Sequence, residues 1–257
     1  MTTVPAVDEE IQAAEKVIAK GDFAAALATL QVILSRVQED DSRMRLLFDV
    51  LSCSTRLCAD RVTSNAIQEL EKMSEPEMSR VFVNLIQAMS NLEFGRAKEA
   101  LDLIETNLKT EFMAREDFQI WKYKHLAYKG RALVYLGRCE ESVVSLTEAH
   151  AMDPNGERET EILIDQANCL FALDRYDEAY DAASQVLKRD DGEMAALAMQ
   201  YMAEIRSWQR RVPEALELYI ELQKRLPCRL VQEDRFQNGM SYCLAFLEKV
   251  RPPGRNN

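Results

Sequence analysis

Lys124, Tyr128, Arg131 and Tyr135 follow one another at steps of four, three and four residues. On an α-helix that spacing places all four on one stripe. Two cations interleaved with two phenols can grip an acidic segment, extended or helical, through charge-assisted hydrogen bonds and aromatic packing. Other chemistry is sparse. His125 and His150 lie on different expected helices with no cysteine or aspartate at ligand spacing, so neither a metal nor a general-base role is expected. Six cysteines, at 53, 58, 139, 169, 228 and 243, form no CxxC pair and read as core thiols of a reducing compartment. No GxGxxG, P-loop, HExxH or GxSxG pattern occurs. The expectation is a chain without catalytic residues, metal or cofactor.

The elements that must carry the stripe are helices. Among 257 residues there are only eight glycines and seven prolines, and apolar-periodic stretches fill the space between them. Within 24–37 the apolar residues fall at 27, 30, 33, 34 and 37, the three-four spacing of an amphipathic helix. The net charge of -11 disfavours a general role on nucleic acid or anionic membrane. That charge is uneven: residues 1–41 carry eight acids and three bases, whereas 205–257 carry ten bases and six acids. The N-terminus lacks the basic and apolar regions of a secretory signal, and no apolar run is long enough to span a bilayer, which predicts a cytoplasmic location without membrane insertion.

A period organises the helices. Breaks at Gly21, Gly95, Gly137, Asp174 and Arg210 are each followed five positions later by a small residue: Ala26, Ala100, Ser142, Ala179 and Ala215. A second small residue lies twelve positions before each of these, at Ala14, Ala88, Gly130, Ala167 and Ala203. Helices that cross closely need small side chains where their axes approach, so the paired offsets predict helical hairpins.

These residues resemble the tetratricopeptide repeat (TPR), a helix-turn-helix unit of roughly 34 residues. Residues 123–156 match best, through Gly130, Leu133, Gly137, Ser142, Leu146, Ala149 and Pro154. Residues 160–193 and 196–229 follow, and 7–40 and 81–114 match more loosely. The stretch 42–75 fits by length alone, as helices near 42–58 and 62–73. The resemblance implies an all-α, right-handed α-solenoid over 7–250, closed by a capping helix at 231–250. Residues 1–6 and 251–257 are expected to be disordered. Extra residues at 115–122 are expected to form a loop or a lengthened helix at one edge.

The resemblance also implies that the first helix of each pair lines a concave groove. Carried onto this chain, the groove is expected to present Phe82, Leu85 and Met89 from the third unit and Lys124, Tyr128, Arg131 and Tyr135 from the fourth. The fifth would present Asp165 and Asn168, and the sixth Gln200, Tyr201, Glu204 and Trp208. The carboxylate clamp of chaperone-binding relatives is not reproduced, because Ile164 stands where the partner of Asn168 belongs and Gln200 and Glu204 stand where bases are needed. The expected function is non-catalytic: a scaffold or adaptor that holds a segment of another protein in the groove. A peptide-capturing co-chaperone or targeting receptor is the alternative.

Overall fold

The computed structural model describes residues 4–19, 21–73, 76–154, 156, 158–190, 192–225 and 232–250. The chain falls into two compact units, Met1–Phe118 and Gln119–Asn257. The first holds three helical hairpins: α1 (Val4–Ala19) with α2 (Phe23–Leu34), α3 (Asp40–Arg56) with α4 (Asp60–Met73), and α5 (Pro76–Glu93) with α6 (Ala97–Leu108). The second holds α7 (Gln119–Tyr135) with α8 (Cys139–Met152), α9 (Glu159–Ala172) with α10 (Tyr176–Val186), α11 (Glu193–Trp208) with α12 (Val212–Gln223), and a last helix, α13 (Glu233–Val250). Helix α1 already begins at Val4, inside the stretch 1–6 expected to be disordered. Residues 1–3 and 251–257 lie outside the described residues, as do Pro227 and Cys228.

One device makes every hairpin. A residue with left-handed backbone ends each first helix: Gly21 (φ 79°), Cys58 (51°), Gly95 (72°), Gly137 (69°), Asp174 (59°) and Arg210 (62°). At each, a backbone N–H reaches back three residues and the next N–H reaches back five. Gly137 N donates to the Val134 carbonyl at 3.0 Å and Arg138 N to that of Leu133 at 2.9 Å, and Cys58 and Ala59 repeat the pattern at 3.2 and 2.8 Å. This pair of bonds satisfies carbonyls at the helix end and reverses the chain. The second hairpin therefore uses the same turn without a glycine to signal it. An L-residue in this region costs roughly 1–2 kcal/mol, part of which glycine gives back through its freer unfolded chain. Cys58→Gly should therefore raise stability by about 0.5 kcal/mol in urea unfolding. A loss would mean that the Cys58 side chain contributes more than its backbone costs.

Inside the hairpins the small residues sit at the crossings. Ala14, Ala26, Ala88, Ala100, Ala167, Ala179, Ala203 and Ala215 are buried. The Ser142 hydroxyl donates to the Gly130 carbonyl at 2.9 Å and that of Ser145 to Leu126 at 3.0 Å, tying α8 to α7. A Cβ on Gly130 would lie 2.3 Å from Leu146 Cδ2, so only glycine permits this approach. In the second hairpin the equivalent positions hold Leu51 and Thr63, which is why spacing alone did not single it out.

Of the extra residues 115–122, those from 119 onward lengthen helix α7 at its start, and those before it form a 3-10 turn in place of an open loop. Two 3-10 turns, Glu111–Ala114 and Glu116–Phe118, bury Phe112, Met113 and Phe118. Phe118 lies 5.5 Å from Phe112 and 5.9 Å from Phe82, centre to centre, and so extends the core of the first unit. Of the cysteines, Cys53, Cys169 and Cys243 are buried, Cys139 is half-buried, and Cys58 is exposed because it occupies a turn. No described helix is long and apolar enough to cross a membrane.

Candidate functional site

In the second unit the first helices of successive hairpins pack side by side, α7 against α9, α9 against α11 and α11 against α13. The expected groove residues are found on these helices, but most are already engaged. Arg131 Nε donates to Asp165 at 2.9 Å, and its Nη1 pairs with Glu161 at the same distance. Arg158 also pairs with Glu161, and its guanidinium lies 4.2 Å from the centre of the Tyr128 ring while donating to the Tyr128 hydroxyl at 2.9 Å. Lys124 is buried, with its ammonium 5.3 Å from the Trp121 ring centre. Two arginines and two carboxylates thus cancel across α7 and α9. The basic stripe that was to grip an acidic segment is spent inside the unit, because α9 supplies acids four residues apart opposite it. Only Tyr135, 61% exposed, projects freely from that stripe.

The other expected residues divide in the same way. Phe82, Leu85 and Met89 of the first unit are core residues, so they present no groove surface. Asn168 is half-buried. Gln200 is buried and its amide brackets the backbone of Gln232, donating to the carbonyl at 3.2 Å and accepting from the N–H at 3.0 Å. Tyr201 is buried beneath the Arg235 guanidinium, and Glu204 is ion-paired with Arg235. Trp208 alone of this group stands out, 66% exposed.

Trp208 is one wall of a cleft of 610 Å³ that the sequence did not announce. Phe171, whose ring meets Trp208 edge-on at 6.5 Å, lies beside it, and Tyr242 of α13 lines the cleft as well. Gly239 and Tyr219 also line it. A Cβ on Gly239 would stand 2.0 Å from the Tyr219 hydroxyl, so a glycine in the middle of α13 lets that helix settle onto α12. Burial pushes the Tyr219 phenol well above its usual range and keeps it neutral. Glu204, Arg210 and Arg235 bring the charges. Burial raises the Glu204 carboxyl above the ordinary carboxylate range, while Arg235 and the Gln200 side chain pull it back. A cleft of this size and aromatic content falls in the range of sites that hold a ligand or a partner's side chains. Among the described residues no group of three or more histidines, cysteines or carboxylates could hold a metal ion.

Neither a protein-family profile nor a curated protein sequence matches the chain. Solved structures do. The apo form of RapI superposes with a TM-score of 0.66 at 12% identity, covering 95% of this chain and 72% of that one. PilF of Pseudomonas aeruginosa does so with a TM-score of 0.60 at 12% identity, covering 93% of this chain and 98% of that one. The fold is that of the tetratricopeptide-repeat proteins.

On this TPR fold the cleft lies at the ends of first helices α9 and α11, where the last helix α13 closes the unit. Sequence reasoning named Glu204 and Trp208 and missed Phe171, Arg210, Tyr219, Arg235, Gly239 and Tyr242. One signal was available. A lone glycine in the middle of an amphipathic helix marks a close approach, and Gly239 is that residue.

Proposed function

We propose that the chain is a non-catalytic TPR-type interaction module, an adaptor or scaffold that binds a segment of another protein along the first-helix face of its second unit. The cleft between α11 and α13 is the centre of that contact. One observation carries the reading: Trp208 and Tyr242, 66% and 44% exposed, converge on one concavity of 610 Å³. Exposed aromatics gathered in a concavity are the usual composition of the few residues that dominate a protein interface. The buried polar network of α7 and α9 then serves as a rigid wall and takes no direct part in capture.

The test is photo-crosslinking. A benzophenone amino acid at Trp208, Tyr242 or Tyr135 should attach a partner protein in cells. The same group at Val144 or Ile220, exposed apolar positions on second helices α8 and α12, should not. Attachment only from Val144 and Ile220 would move the interface to the other face and overturn the proposal.

A further inference from the structure

We infer that the cleft between α11 and α13 takes an acidic segment of a partner protein, with a bulky apolar side chain between Trp208 and Tyr242 and a neighbouring carboxylate on Arg210. The inference rests on the reading above that this face binds protein, and adds the chemistry of what it binds.

The charges around the cleft make the case. Among the described residues, each of the other arginines near it lies within ion-pair distance of a carboxylate. Arg211 pairs with Glu214 at 2.7 Å and Arg206 with the same group at 3.4 Å. Arg175 pairs with Glu178 at 2.6 Å, and Arg235 with Glu204. Arg210 has no carboxylate among the described residues; its guanidinium donates to the neutral Tyr242 hydroxyl at 3.4 Å. It is exposed and lines the cleft with a net cationic set, two arginines against one glutamate. A cationic ligand would meet repulsion there, and an anion would complete an ion pair.

Glu204 does not offset the charge of Arg210, because it is already paired with Arg235. The chain's own 251–257 has the wrong sign, carrying arginines at 251 and 255 and no acidic side chain.

The experiment is calorimetric titration of the full chain with an acetylated, amidated peptide, Gly-Asp-Asp-Leu-Asp-Asp-Gly. Binding should weaken about tenfold in Arg210→Glu and in Trp208→Ala, return to near the starting affinity in Arg210→Lys, and vanish when the aspartates are replaced by lysine. Trp208 and Arg210 are exposed, so both variants should keep their helical circular dichroism. Failure of the peptide to bind at millimolar concentration overturns the inference, as does affinity indifferent to Arg210→Glu or equal affinity for the lysine peptide. So does a dimer, seen in sedimentation of the wild type, that Trp208→Ala converts to monomer, since a second copy would then be the occupant. If crosslinks form from position 208 while the peptide fails, the acidic chemistry is wrong and the binding face stands. If neither occurs, both fall.

Discussion

Arg131→Ala should cost the chain about 3 kcal/mol of stability, read as a lowered urea midpoint with unchanged slope. The arginine joins two helices by contacts at 2.9 Å to both Glu161 and Asp165, and it does so where all three side chains are three-quarters or more withdrawn from water or nearly so. Removing Arg131 leaves Asp165 without its cation, while Glu161 keeps Arg158, and a buried carboxylate left without compensation costs more than the pair contributes when intact. The partial exposure of these side chains places the figure at the low end of what buried pairs show. A pH signature separates this from simple loss of packing. Burial already holds the Asp165 carboxyl above its usual range against the pull of Arg131. Without the arginine it rises further, and an acid with a raised folded pKa destabilises as the pH climbs past its unfolded value. The penalty should therefore shrink as the pH is lowered toward 4. A penalty independent of pH would show that the guanidinium acts as filler.

The second large effect comes from His125. It is fully buried in α7, its Nδ1–H donates to the Trp121 carbonyl at 2.7 Å, and burial lowers its pKa from 6.5 to about 4. The folded chain thus keeps a neutral imidazole where the unfolded chain takes up a proton. Stability is complete above about pH 6.5 and declines as the pH falls from there toward 4. Between pH 7 and pH 5 the loss from this one residue is about 2 kcal/mol. Urea unfolding at the two pH values, wild type against His125→Gln, measures it: the variant should lose about 2 kcal/mol less. Equal losses in the two proteins would mean that the imidazole is not withheld from protons in the folded state.

Both effects bear on how much the sequence discloses. The turns were legible because glycine, or a polar residue tolerant of left-handed backbone, occupies a fixed offset from small residues at the crossings. Cys58 escaped because neither signal is present: the turn residue is a cysteine and the crossing residues are Leu51 and Thr63. The site was less legible. Arg131 and Asp165 were both placed on the expected groove, each by its position in its own helix. That they face one another across α7 and α9 depends on how the helices rotate when packed, which periodicity does not report. The same reason hid the cleft, since Arg210, Gly239 and Tyr242 acquire meaning only when α13 meets α11. Trp208 and Glu204 were found by position in one helix, and the lone glycine at 239 was the one further signal the sequence held.

The bracket that Gln200 places on Gln232 has a consequence of its own. Two opposed hydrogen bonds to one backbone unit are directional and fix both its position and its orientation. They anchor the first turn of α13 and so act as an angular stop for the whole helix. With its start pinned, α13 behaves as a lever whose swing about Gln232 would carry Tyr242 toward or away from Trp208. The placement of Tyr242 at the cleft thus depends in part on an amide remote from it in the sequence, together with the Arg235–Glu204 pair and the Phe236–Tyr219 contact.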